Sequence, residues 1–152
     1  MTSPRFSTAI PTAALTLSAA GLLPFIALTL APLWSIEPFG RQPLLVLAQY
    51  AATTLSFMGA VHWGLAMSEF GGRRDASWTY AASVAPALIA WFALAFFPTS
   101  VALRIMAAAF ALLLAYDVGS VRRGFAPRWY AHLRWPLTLI VVTCLFFASI
   151  LT

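Results

Sequence analysis

The chain has 152 residues, 62% hydrophobic and 9% charged, with a formal net charge of +5. An ordinary soluble domain carries roughly 25% charged residues, so a water-soluble fold is excluded, because it could not hide this much apolar surface. All nine basic residues are arginines set in the gaps between apolar runs, a pattern that points to lipid headgroups and away from nucleic acid.

Five apolar runs follow one another, at about residues 12–34, 43–69, 77–97, 101–121 and 135–151. Each is close to the roughly 20 residues that cross a hydrocarbon core about 30 Å thick. None alternates as a membrane β-strand must. The expected fold is therefore all-α: a polytopic integral membrane protein, a five-helix transmembrane bundle forming a single domain. The first 20 residues, with one arginine and no acid, faintly resemble a targeting peptide, but the apolar run continues to Trp34 and reads as a retained helix.

In the first run, Pro24 removes a backbone donor and predicts a kink. Pro32, Pro38, Gly40 and Pro43 punctuate the loop that follows, and Pro43 suits the first turn of the second helix. That second helix organises the reading. Ala52, Ser56, Ala60, Gly64 and Ser68 recur every four residues, a small-residue ridge that lets helix backbones approach closely in lipid. His62 falls roughly opposite, on a stripe with Leu55, Gly59, Ala66 and Glu69. A helix specialised on both faces is expected at the centre of the bundle, with the imidazole at mid-depth.

The third run opens with Trp78 and Tyr80 at headgroup height, is kinked by Pro86 and ends at Pro98. So tight a connection predicts an antiparallel pair with the fourth helix, whose Ala107, Ala111 and Ala115 form a close-packing ridge. Arg104 near its start reads as a snorkelling anchor. Between the fourth and fifth runs, Arg122, Arg123, Arg128 and Arg134 interleave with Phe125, Trp129, Tyr130 and Trp135, which predicts a segment in the interface plane touching anionic headgroups.

Arginine counting sets the orientation. Arg5, Arg73, Arg74, Arg122, Arg123, Arg128 and Arg134 fall on the side of the amino terminus, against Arg41 and Arg104 on the other. The expected amino terminus is cytoplasmic and the carboxyl terminus periplasmic.

Gly21-Leu22-Leu23-Pro24-Phe25, the stretch Leu55-Ser56-Phe57-Met58-Gly59-Ala60-Val61-His62-Trp63-Gly64, Tyr116-Asp117, Pro127-Arg128-Trp129-Tyr130, Leu133-Arg134 and Leu137-Thr138 together resemble the DUF3429 family over nearly the whole chain. The resemblance implies a multi-span protein of the bacterial or mitochondrial inner membrane and brings no assigned activity with it. The short amino terminus fits the bacterial inner membrane better than the mitochondrial one.

Few residues could carry chemistry. An ionisable group inside a membrane normally faces protein or water. His62 therefore reads either as an imidazole hydrogen-bonded to Ser, Thr or Tyr on another helix, or as a ligand-binding, proton-handling or metal-binding group. Glu69, about 10 Å away by helical rise, is either the mouth of a polar track or a partner for Arg73 or Arg74. Asp117 sits at the unfavourable end of its helix, so it is expected to pair with Arg122 or Arg123 or to converge with Glu69 on His62. Trp63 and Tyr116 are supporting candidates, and Tyr50 and Gln49 are weaker ones.

The only other histidine, His132, is expected in the cytoplasmic loop, which weakens bis-histidine haem ligation from one chain. Cys144 lies inside an apolar run, so the sequence offers no disulfide framework and no metal-ligand pair. No P-loop, dinucleotide fingerprint, nucleophile elbow or zinc-protease motif occurs. No cofactor or catalytic residue is predicted, and an enzyme is disfavoured. The leading expectation is an accessory or assembly protein that packs against lipid, a membrane-protein partner or a second copy. The alternatives are a small dimeric transporter or pore with His62 and Glu69 on the pathway, and quinone or haem binding near His62 and Trp63.

Overall fold

A computed structural model describes residues 9–36, 42–67 and 77–151. It contains five long helices: α1 (Thr12–Leu30), α2 (Pro43–Met67), α3 (Ser77–Phe96), α4 (Thr99–Arg122) and α5 (Arg128–Ala148). A 3-10 turn, Ala31–Trp34, extends α1. No strand occurs among the described residues. All five helices are long and apolar enough to cross a membrane.

Helices α1, α2, α4 and α5 close a ring, each touching the next, and α3 packs outside it against α2 and α4. The expected α3–α4 contact is present, but α3 lies more extensively against α2. Gly59 explains why. A Cβ there would stand 2.6 Å from the Ser83 carbonyl oxygen and 3.0 Å from Pro86 Cγ, so only glycine lets the two backbones come this close.

Three details correct the sequence expectations. First, the most enclosed helix is α4, with 50% of its most apolar window buried against 33% for α2. The stripe of α2 that carries His62, Gly59, Leu55 and Ala66 is buried, whereas Ala60 and Gly64 of the small-residue ridge are exposed. An added Cβ at Gly64 would meet nothing. Secondly, His62 lies toward one end of the bundle and not midway along it, at the level of Asp117, which stands five residues before the end of α4 at Arg122. Thirdly, α5 begins at Arg128 and not near residue 135.

The α4–α5 connection shows how that earlier start arises. Gly124 takes a left-handed φ of 78°. Phe125 N–H then bonds the Ser120 carbonyl and Gly124 N–H the Val121 carbonyl, the double bond pattern that ends a helix at a C′ glycine. Pro127 follows at once as the N-cap residue of α5. The basic and aromatic segment is therefore the first turns of a spanning helix, and Pro136 lies inside that helix.

Other polar groups are satisfied across helices. Pro24 lies inside α1 without ending it, and three residues before it the Gly21 carbonyl accepts from the Tyr50 hydroxyl at 3.0 Å. Arg104 donates through Nε and Nη2 to the hydroxyl and carbonyl of Ser149, which caps α5. That places a cation at a helix C-terminus, where the macrodipole favours it. The apolar core clusters toward this same end, around Phe25, Leu47, Leu103, Met106, Phe110 and Leu145.

Candidate functional site

At the end of the bundle that carries the α2–α3 and α4–α5 connections, three ionisable side chains from three helices meet. His62 of α2 donates from Nε2 to Asp117 Oδ1 of α4 at 2.6 Å. Arg134 of α5 donates from Nε to Asp117 Oδ2 at 2.5 Å. A guanidinium donating to a carboxylate makes a charge-assisted hydrogen bond, roughly twice as strong as a neutral one. The relative exposures are 1% for His62, 0% for Asp117 and 4% for Arg134, so each group depends on the others for compensation.

Each residue reaches the site for a local reason. Asp117 stands five residues from the end of α4, about 7.5 Å by helical rise, and the bond from His62 sets that residue of α2 at the same level. Arg134 enters from the opposite chain direction, six residues inside α5. Its Cα–Cβ bond tilts toward the helix N-terminus, which carries the guanidinium back toward the level of Asp117.

The surroundings complete the cluster. Arg134 Nη1 donates to the Met58 sulfur at 2.9 Å. The Tyr116 ring meets the imidazole edge-on at 4.7 Å between centroids. Tyr130, one turn before Arg134, is buried beside Asp117 and Arg134. Trp63 stacks edge-to-face on Tyr80 of α3 at 4.9 Å, so it braces α2 against α3 and does not contribute to the ion cluster.

Several expectations change here. The partner of Asp117 is Arg134, not Arg122 or Arg123, both of which are exposed. Arg134, expected on headgroups, is turned inward because a buried carboxylate needs a cation more than a hydrated headgroup does. Arg128 is exposed. His62 bonds a carboxylate and not a hydroxyl. His132 is exposed within α5, outside any loop, and its Nδ1–H donates to the Arg128 carbonyl of its own helix. Glu69, and with it the polar track proposed between Glu69 and His62, lies outside the described residues.

A fifth helix starting near residue 135 leaves Arg134 and Tyr130 in a loop and hides their roles, whereas α5 starts at Arg128. A helix from Arg128 puts Tyr130, Arg134 and Thr138 at i, i+4 and i+8 on one face. Among the described residues no group of three or more His, Cys, Asp or Glu side chains is placed to hold a metal ion.

Five spanning helices, tied at one end by a buried histidine–aspartate–arginine cluster, define a polytopic integral membrane protein of the helical-bundle class. Residues 10–150 match the family described as "Protein of unknown function (DUF3429)", and the chain belongs to that family. It is 36% identical over 137 residues to "Transmembrane protein 69" of Xenopus tropicalis, covering 87% of this chain and 51% of the frog protein. It is 29% identical over 136 residues to "Transmembrane protein 69" of Mus musculus, covering 86% of this chain and 52% of the mouse protein. The chain thus spans about half the length of these curated relatives. No solved structure matches it significantly.

Proposed function

We propose that this protein is an accessory component of the bacterial inner membrane, acting through its outer surface on lipid and on partner helices. The observation that supports this reading is the closure of the ion cluster: His62 and Asp117 are sealed and bonded to each other, so the deepest polar groups are occupied in holding helices together. Outside, Arg122, Arg123 and Arg128 are exposed beside Trp129 and Trp135. In this reading they form a basic, aromatic collar on the cytoplasmic leaflet, where each exposed arginine attracts anionic headgroups by about 1 kcal/mol.

Purification of the tagged protein at native expression, in a detergent that retains lipid, tests the proposal. It predicts recovery with a stoichiometric membrane partner, and enrichment of anionic lipid that falls when Arg122, Arg123 and Arg128 are replaced by Gln. Repeated recovery of the chain alone, with lipid of bulk composition, would contradict it.

A second reading, a small transporter or pore, is favoured by one observation: an imidazole and a carboxylate from two different helices, His62 and Asp117, meet inside the bundle, and ionisable groups within spanning segments mark ion and substrate pathways. It predicts proteoliposome flux that His62→Ala abolishes. Equal flux in protein-free and protein-containing vesicles would remove it.

A further inference from the structure

The outward face of α2 carries a group that lipid cannot satisfy. Among the described residues, the exposed hydroxyl, amide and ionisable side chains well inside the other helices are accounted for. Thr16, Thr143 and His132 bond carbonyls of their own helices, as Thr53 does in α2, and Arg104 is held by Ser149. The exposed Gln49 carboxamide alone has no partner. Gln49 stands six residues from the start of α2 at Pro43, about 9 Å by helical rise, and its neighbour Tyr50 reaches the Gly21 carbonyl midway along α1. At that depth the medium is hydrocarbon, where an amide without a hydrogen bond is strongly disfavoured.

We propose that the face of α2 formed by Gln49, Ala52, Ser56 and Ala60 is a homodimer interface, closed by reciprocal hydrogen bonds between the Gln49 carboxamides of two copies. Ala52, Ser56 and Ala60 follow Gln49 at i+3, i+7 and i+11 on one side of the helix. Ala60 is exposed, Ala52 and Ser56 are half-buried, and the Ser56 hydroxyl is folded back onto the Ala52 carbonyl, so a second helix can come close here. Small residues permit that contact; the carboxamide requires one. Copies inserted under the same charge rule run the same way through the membrane, so two α2 helices meet parallel across a two-fold axis and each residue faces its own counterpart. A carboxamide suits that symmetry, because its NH2 donates, its carbonyl accepts and it is complementary to itself. A charged partner would have to carry its charge into hydrocarbon. His62 lies on the buried side of α2, so each copy keeps its own ion cluster. The interface is also separate from the basic collar of the proposed accessory role, and either can fail without the other.

Counting photobleaching steps of the fluorescently tagged full chain in liposomes, over a dilution series of protein in lipid, tests the proposal. Two-step spots are expected at high density and one-step spots on dilution. Gln49→Leu, a side chain that lipid accepts, should move the midpoint on the order of tenfold toward higher density. Ala60→Ile should move it in the same direction by filling the close approach, whereas Leu139→Ala on the exposed face of α5 should leave it in place. In a Cys144→Ser background, Ala52→Cys is expected to cross-link two copies under mild oxidation much faster than Ile140→Cys, a position on α5 that faces outward. This comparison holds the proposal to account even where a Gln49 variant fails to fold. One-step spots at every density, an unmoved midpoint in folded Gln49→Leu because the carboxamide reaches the headgroups instead, or Ile140→Cys cross-linking as fast as Ala52→Cys would each overturn it.

Discussion

Where α1 ends and α2 begins, Phe25, Leu47, Leu103, Met106, Phe110 and Leu145 interlock without a charged group among them, while at the opposite end His62, Asp117 and Arg134 occupy the corresponding interior. The difference matters because lipid is as apolar as leucine. Burying Leu47 against Leu103 gains little from leaving lipid and must rest on close packing, whereas an unpaired Asp117 would be costly anywhere in the membrane. The apolar end is therefore tolerant, since one imperfect contact weakens it by degrees. The polar end is strict: its members are acceptable only together, and the arrangement that satisfies them fixes how α2, α4 and α5 sit.

Substitutions should separate the two ends in order of size, with stability read by reversible unfolding in bicelles. Asp117→Ala leaves a buried guanidinium without its carboxylate and should cost about 3–5 kcal/mol. Leu47→Ala should cost about 2 kcal/mol, the low end of the range for soluble cores, because removal from lipid returns little of the transfer term. Gly59→Ala pushes a methyl group into the Ser83 carbonyl at the α2–α3 contact and should cost about 1–3 kcal/mol. Tyr50→Phe, which removes the donor to Gly21, should cost about 1 kcal/mol. Gly64→Ala, facing open space, should stay within about 0.5 kcal/mol. If Leu47→Ala exceeded Asp117→Ala, the contrast between a tolerant and a strict end would be wrong.

Much of this was legible in the residues themselves. Unbroken apolar runs admit only helices, so the five spans follow from hydrocarbon thickness. His62 stood out as a deep ionisable group, and Asp117 as a carboxylate at the wrong end of a helix that required a cation. The identity of that cation was hidden for a definite reason. Arg134 was grouped by composition with Arg122, Arg123 and Arg128, although Gly124 and Pro127 already mark the end of one helix and the start of the next. Once α5 begins at Arg128, Arg134 lies on a buried face with Tyr130 and Thr138. The centrality of α4 was less accessible. Its alanine-rich sequence allows close packing on any side, and only the tertiary arrangement shows which sides are used. The small-residue ridge of α2 misled in the same way, since small residues permit close approach without requiring it.

The central claim is that Asp117 and Arg134 form one interaction inside the bundle, not two independent surface charges. A double-mutant cycle with Asp117→Ala, Arg134→Met and the pair, read as unfolding free energy in bicelles, measures this directly. The account predicts that the double variant is more stable than the sum of the single losses allows, with a coupling on the order of 2–3 kcal/mol. Losses that add to within about 0.5 kcal/mol would contradict it.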